Sequence, residues 1–413
     1  MTVSSPAPEN AGRRHLRPGS SAFIALVAAL MTMTAMTIDI NLPAIPALAE
    51  DLGTTLTLSQ LTVTIFFFGF ALGQAFWGPV SDRYGRKPAM LVGIVLYVLS
   101  SIACTFAGTI DQLLAMRFAQ GFAAGAGAIL GRAMIRDLFE GPQMARIMSL
   151  ALAAFVTAPI IAPSIGAALL SLGSWRLIFA LLAVYGLVLL VLCALLLPES
   201  LSQRNLRALH PSRLLDGYIA MARNRTSLVF GTVVTCGFCG LTIYLTNASA
   251  IFMSAYGMTA GKFGAVFAVV AMFSALGNLA NARVVRHLPL VRAIGIGVGG
   301  AAAGIALNLA VASFWQPESG WALVPGFCLF FFFFGLIVAN GTTLALQPHR
   351  HIAGAATSAL GVAQTVVPAT AASLVAASFD GTARPALLTT VLLLAAGGGV
   401  VAMHCRRQAE RAG

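Results

Sequence analysis

The sequence predicts an all-α membrane protein with twelve transmembrane helices, arranged as two pseudo-symmetric halves of six. Of its 413 residues, 58% are hydrophobic and only 9% are charged, and the mean hydropathy is +0.88. Soluble domains carry about a quarter charged residues, so this composition indicates a chain whose solvent is lipid. The apolar stretches between charge clusters are about 20 residues long, which is the length an α-helix needs to cross the hydrocarbon core.

The predicted spans fall into two groups on either side of a basic linker. The first six are 21–44, 58–80, 88–107, 111–132, 145–170 and 175–197, and the last six are 227–253, 261–282, 291–313, 321–346, 352–377 and 384–404. This division predicts an N-terminal tail (1–20), a first bundle (21–197), a linker (198–226), a second bundle (227–405) and a C-terminal tail (406–413).

The basic residues indicate the orientation of the chain in the membrane. Of the 25 Lys and Arg, twenty-one lie in the two tails and in alternate loops, including Arg13, Arg14, Arg17 and Arg207. The loops between them carry acids instead: Glu50, Asp51, Asp111, Glu318 and Asp380. The positive-inside rule then puts both termini in the cytoplasm. The net charge of +12 is therefore explained by topology, and no nucleic-acid partner is expected.

An internal repeat supports the two halves. Residues 78–87 close the second predicted helix, and a similar pattern of glycine, small polar residue and terminal base returns 199 residues later at 277–286, with Asn281 in place of Asp82. Glycines also recur four apart, as at Gly69 and Gly73 and at Gly121 and Gly125, which favours close packing of membrane helices.

Two ionisable residues lie inside predicted spans. Asp39 is in the first helix, Arg117 is in the fourth, and Gln120 follows Arg117 on the same helix face. A charge in hydrocarbon costs several kcal/mol, so such residues usually face a cavity or a partner. Both are expected at a similar depth, where a direct or water-linked pair can form and can load and release a proton. The alternatives are a fixed structural ion pair, or an Arg117 whose side chain extends to the membrane surface.

The loop 78–87 is the most specific motif in the chain. It contains Gly78, Asp82, Arg83, Gly85, Arg86 and Lys87, and the pair Arg136 and Asp137 ends the fourth predicted helix on the same side. Asp82 and Arg86 are four apart and are expected to pair on a helical turn. Asp82 can also oppose the positive N-terminus of another helix, which would hold one conformation closed. The alternative is a solvated topology signal.

The fifth predicted helix contains two prolines four residues apart. The segment includes Pro159, Ala162, Pro163 and Gly166. Proline inside a membrane helix removes backbone hydrogen bonds and favours a kink, which neighbouring helices must compensate. This face is therefore predicted to bend and to pack closely.

Sequence signatures of enzymes are missing. The chain has no GxxxxGK[ST], HExxH or GxSxG, so no catalytic residue, ATP site, cofactor or metal is expected. Cys236 and Cys239 form a CxxC, but they lie in a predicted membrane helix, where packing is the better interpretation.

These motifs resemble the major facilitator superfamily, and within it the Bcr/CflA group of drug:proton antiporters. Residues 78–87 are similar to the superfamily's signature between helices 2 and 3, the segment Leu113–Gly121 resembles the helix 4 motif, and Ala158–Ala167 resembles the helix 5 antiporter motif. Residues Ile38–Pro46 resemble the helix 1 signature of the Bcr/CflA group. The resemblance implies proton coupling by Asp39 and Arg117 and gating by Asp82 and Arg86.

The function that follows is export of a small, largely apolar drug or metabolite, such as a phenicol or bicyclomycin-like compound, in exchange for protons. The expected setting is the bacterial inner membrane, with lipid and a small molecule as partners and a monomer as the working unit. Candidate substrate-binding residues are Asn41, Phe66, Tyr97, Phe155, Tyr244, Asn247, Asn340 and Gln364. The alternatives are a proton-coupled importer of a nutrient and a non-transporting membrane sensor.

Overall fold

The computed structural model describes residues 16–205, 211–315 and 318–412. Within these ranges twelve helices are long and apolar enough to cross a membrane. Most of the predicted N-terminal tail and the end of the predicted C-terminal tail lie outside the described residues. The predicted cytoplasmic bases Arg13, Arg14 and Arg207 also lie outside them.

Six spans precede the linker and six follow it. The first group consists of α1 (Ser21–Asp39) with α2 (Ile45–Asp51), α3 (Leu56–Tyr84), α4 (Arg86–Thr105), α5 (Ile110–Leu138), α6 (Gly141–Leu172) and α7 (Arg176–Leu196). After α8 (Pro211–Arg223), the second group consists of α9 (Arg225–Ser249), α10 (Ala260–Val284), α11 (Leu290–Ala310), α12 (Val324–Leu346), α13 (Ala353–Ala377) and α14 (Arg384–Ala412). The prediction of an all-α fold with twelve spans is confirmed.

The first span is not the continuous helix that the sequence predicted. α1 ends at Asp39, a short 3₁₀ turn covers Leu42–Ala44, and α2 completes the span. Pro43 contributes to this break. In a continuous helix the N–H of residue 43 would bond to the carbonyl of Asp39, but Pro43 has no N–H to donate. Asp39 therefore occupies the C-terminal end of a helix inside the bundle.

The linker contains a helix, α8. This helix packs on α13, where Gly217 lies so close that a Cβ on it would be 2.6 Å from the Ala355 carbonyl oxygen. At the start of the linker, the backbone N–H of Asn205 donates to the Asp82 carbonyl over 2.8 Å. We call the end of the bundle that carries this linker the linker face, and the other end the opposite face.

Glycines set the packing of α3 against α5. A Cβ on Gly69 would collide with the carbonyl oxygen of Phe118, and one on Gly121 would collide with that of Phe66. Such close backbone contact needs residues without a side chain, since lipid provides no hydrophobic force that pushes helices together. The predicted glycine stripes are therefore helix-packing surfaces.

The two halves are joined at the opposite face by hydrogen bonds from α3. The Nε2 atom of Gln60 donates to the Thr246 carbonyl and to Oδ1 of Asn247, both over 3.1 Å. Thr57 Oγ1 donates to the Ala376 carbonyl over 3.2 Å. These bonds bridge from α3 to α9 and to α13, so the structure holds the halves together at this face.

Candidate functional site

Asp39 is a buried acid at the break between α1 and α2. The residue is 3% exposed, and among the described residues its carboxylate has neither a hydrogen-bond donor nor an ion-pair partner. It also lies at the C-terminal end of α1, where the helix dipole presents its negative pole. An ionised carboxylate in such a place lacks the compensation that buried charges need, whereas a carboxyl that carries a proton does not require it.

Arg117 belongs to a separate polar network on α5. Its Nε donates to the Thr62 carbonyl over 3.1 Å, and its Nη1 donates to Oε1 of Gln120 over 2.7 Å. Gln120 Nε2 in turn donates to Ser101 Oγ over 2.8 Å. The guanidinium also lies over the rings of Phe66 on α3 and Phe179 on α7, 4.6 and 5.7 Å from their centroids, so helices of the first half enclose this fully buried cation.

The expected direct pair between Asp39 and Arg117 is not formed. The three ion pairs in the described part of the chain are Arg86–Asp82, Arg86–Asp137 and Arg176–Asp51, all near the ends of the bundle. Arg117 is instead held toward α3 and along its own helix by the acceptors at Thr62 and Gln120. The predicted contact of Gln120 with Arg117, by contrast, is present.

The proline-containing face of α6 packs on the break that holds Asp39. A Cβ on Gly166 would collide with the Ile40 carbonyl oxygen, one residue after Asp39, and would lie 3.0 Å from the Pro43 ring. Ala162 and Pro163 are buried, Pro159 is partly buried, and both prolines lie inside the continuous helix α6. The motif therefore forms the face of α6 that packs closely against the interrupted first span.

At the linker face, the predicted gating residues form a cluster around Arg86. The Nη1 atom of Arg86 pairs with Asp82 Oδ1 over 2.5 Å, and its Nε pairs with Asp137 Oδ2 over 2.8 Å. Arg86 is 8% exposed, so this cation is largely enclosed by its two acids. The predicted pairing of Asp82 with Arg86 is present, and Asp137 joins it.

Glu199 is a member of this cluster that the sequence interpretation missed. Its carboxylate accepts the backbone N–H of Arg86 over 2.9 Å and that of Lys87 over 3.2 Å, and so caps the N-terminus of α4. Gly85 makes this approach possible, because its φ is +110° and a Cβ there would be 2.6 Å from Glu199 Oε2. The signal in the sequence was an isolated acid directly after the sixth predicted span, on the side otherwise rich in bases.

The suggested role of Asp82, opposing the N-terminus of another helix to hold one conformation closed, stays a prediction. The acid that opposes a helix N-terminus here is Glu199, while Asp82 is committed to the Arg86 guanidinium. Arg83 lies over the Tyr84 ring at 5.4 Å, and Gly78 precedes Pro79 within α3. Within the described chain Arg136 makes no ion pair with the cluster.

Four of the candidate substrate-binding residues have side chains already engaged inside the protein. Phe66 packs on Arg117, and the Tyr97 hydroxyl is 2.5 Å from Thr37 Oγ1. Asn247 accepts from Gln60, and Asn340 Nδ2 donates to Asn281 Oδ1 over 2.8 Å. These contacts give the four residues packing or bridging roles.

The other four candidates have either an exposed ring or polar atoms without a hydrogen-bond partner among the described residues. Phe155 is 38% exposed on α6. Among the described residues, both amide atoms of Asn41, the hydroxyl of Tyr244 and the amide nitrogen of Gln364 are buried without a hydrogen-bond partner. Contact with a substrate stays a prediction for all eight residues.

No group of three or more His, Cys, Asp or Glu in the described ranges has the arrangement of a metal site. Cys236 and Cys239 are both buried free thiols in α9.

Comparison with known proteins agrees with this architecture. The chain is 29% identical over 376 residues to a bicyclomycin resistance protein homolog of Haemophilus influenzae, covering 89% of this chain and 92% of that protein. It is 25% identical to multidrug resistance protein D of Escherichia coli, covering 84% of this chain and 86% of the relative.

Among solved structures, a partially occluded inward-open form of the xylose transporter XylE from E. coli superposes with a TM-score of 0.73 at 14% identity, covering 92% of this chain and 97% of the other. The Major Facilitator Superfamily matches residues 25–372, which is most of the sequence. The resemblance drawn from the motifs is thus confirmed, and the chain belongs to the Major Facilitator Superfamily.

Proposed function

We propose that this protein is a drug:proton antiporter that exports small, largely apolar compounds, of the phenicol or bicyclomycin type, across the bacterial inner membrane. The observation that carries the proposal is Asp39, a buried carboxyl without a partner at a break in the first membrane span. The relatives named for bicyclomycin and multidrug resistance support export of drugs over uptake of a nutrient. The chain works as a monomer with both termini in the cytoplasm.

The proposed cycle couples the protonation of Asp39 to movement of the two halves, residues 21–197 and 227–405. With the site open to the outside, the carboxyl takes up a proton and the exported compound leaves. With the site open to the cytoplasm, a new substrate binds and the proton is released. Inverted or repeated six-helix units that rock about a central site are the common design of such transporters.

Arg117 supports this cycle without pairing directly to the acid in the form described here. Its guanidinium is fixed by Thr62 and Gln120, while one of its terminal nitrogens, Nη2, is buried without a hydrogen-bond partner among the described residues. That nitrogen is the group on α5 through which Asp39, water or substrate can be bound in another conformation. Each proton that enters supplies about 2.3 kcal/mol per 100 mV of membrane potential, in addition to the pH gradient.

Proteoliposomes test the proposal. Addition of chloramphenicol or bicyclomycin should drive proton movement in vesicles that contain wild-type protein, and Asp39→Asn should abolish it. Asp111→Asn is the matched control, because Asp111 is an exposed acid in the first turn of α5 at the opposite face. Exchange that continues at the wild-type rate in Asp39→Asn, or equal loss in both variants, would overturn the assignment. Net accumulation of the compound in the cytoplasm would identify an importer instead.

A further inference from the structure

Across the interface between the halves, α9 carries three buried hydroxyls that have no hydrogen-bond partner among the described residues, those of Tyr244, Thr246 and Ser249. The Tyr244 hydroxyl is fully buried and makes no hydrogen bond to any described residue. A buried hydroxyl that lacks a partner costs free energy, so the isolation of this group needs a physical explanation.

The ring of Tyr244 is fixed by three phenylalanines of the second half. Its centroid lies 5.6 Å from Phe267 on α10, 4.8 Å from Phe327 and 5.0 Å from Phe331 on α12. This aromatic cage leaves the ring little rotational freedom. The position of the hydroxyl is therefore set by packing, independently of any hydrogen bond.

This face of α9 is turned toward the first half. Asn247 lies three residues after Tyr244, on the same side of the helix, and accepts the cross-half hydrogen bond from Gln60. α9 also contacts the turn Leu42–Ala44 that follows Asp39. Tyr244 is therefore on a helix that meets the segment following Asp39 across the interface between the halves.

We propose that Tyr244 is the hydrogen-bond donor that the second half supplies to Asp39 when that carboxylate is ionised. The inference rests on the proposed antiport function. A phenol that donates to a carboxylate makes a charge-assisted bond, which is stronger than one between neutral groups. Loss of the proton from Asp39 to water then forms a bond between the halves, and uptake of a proton weakens it. Tyr244 keeps its own proton throughout.

Few other ionisable groups face this pair. Cys328 is a buried free thiol on α12, and the hydroxyl of Tyr97 on α4 contacts Thr37, two residues before Asp39. α10 has no ionisable residue between Lys262 and Arg283, and α6 has none after Arg146. Arg117 on α5 is held by Thr62 and Gln120. The pH dependence of this contact is therefore assigned to Asp39.

The test is the pH profile of drug–proton exchange in proteoliposomes that contain Tyr244→Phe. This variant keeps the caged ring and removes the donor, so the midpoint pH of exchange should move up by about one to two units, the shift expected for loss of a hydrogen bond to a charged group. Tyr185→Phe is the matched control, because the Tyr185 hydroxyl donates to the Ala29 carbonyl inside the first half. Its midpoint should equal that of the wild type.

Two further outcomes decide the proposal. Fluorotyrosine at position 244 preserves the fold and makes the phenol a stronger donor, so the midpoint should move down. An unchanged midpoint in both Tyr244 variants, with normal exchange by the wild type, would overturn the role of Tyr244 and leave the antiport function standing. Absence of exchange in the wild type itself would instead refute the proposed function.

Discussion

The hydrogen bonds of Gln60 give a quantitative prediction about opening at the opposite face. In Gln60→Leu the side chain keeps nearly the same size, but the bonds to the Thr246 carbonyl and to Asn247 are lost. A typical hydrogen bond contributes about 0.5–1.5 kcal/mol net, so the closed arrangement of this face should lose about 1–3 kcal/mol. That free energy corresponds to a population of the open form larger by about 5- to 150-fold.

Labelling of a cysteine measures this population. Thr64 lies one turn below Gln60 on the same face of α3 and is 1% exposed, so Thr64→Cys reports opening in a background without the six native cysteines. When opening and closing are fast, the labelling rate follows the population of the open form. The Gln60→Leu variant should therefore label about 5- to 150-fold faster with a membrane-impermeant maleimide.

Gln112→Leu provides the control for a lost amide at the same face. Gln112 Oε1 accepts from the Gly108 N–H within the first half and does not cross to the second. Its labelling rate should stay at the wild-type value. Equal rates in Gln60→Leu and wild type, or equal acceleration by both substitutions, would refute the argument that the Gln60 bonds close this face.

Three other substitutions follow from the same geometry. Glu199→Gln should lower the thermal unfolding midpoint in detergent, because it removes a negative charge at the N-terminus of α4 that is worth about 0.3–1 kcal/mol. Glu140→Gln, whose side chain caps nothing, should leave the midpoint unchanged, and equal midpoints in the two variants would contradict the cap. Gly166→Ala should abolish drug transport, because the added Cβ collides with the Ile40 carbonyl oxygen. Gly261→Ala, which has open space around it, should transport normally, and normal transport by both variants would show that α6 can move away from Ile40. Arg86→Gln should destabilise the protein by about 3 kcal/mol, because it leaves two acids without their buried cation. Arg176→Gln removes a partly exposed ion pair and should cost less than about 1 kcal/mol, so the reverse order of the two variants in thermal unfolding would refute the argument from burial.

The twelve spans could be predicted because length and hydropathy are local properties of the sequence. The break after Asp39 could not, although Pro43 was visible. Pro79, Pro159 and Pro163 all lie inside continuous helices, so proline alone does not determine whether a membrane helix ends. The difference at Pro43 comes from tertiary packing, since α6 comes close enough at Gly166 to touch the interrupted backbone.

The candidate site was predictable where contacts are local along one helix. The pairs Asp82 with Arg86 and Arg117 with Gln120 follow from spacings of four and three residues, and both are present. The direct contact of Asp39 with Arg117 required the relative rotation of two helices, which sequence periodicity does not give. The cap by Glu199 joins residues 113 apart in the chain, and only the fold brings them together.

Proton release by the purified protein, on addition of substrate in weakly buffered detergent solution, measures directly whether Asp39 carries the exchanged proton. We expect wild-type protein to release protons in proportion to the drug bound, and Asp39→Asn to bind drug without releasing any. Equal release by Asp39→Asn would contradict the assignment of the exchanged proton to this carboxyl.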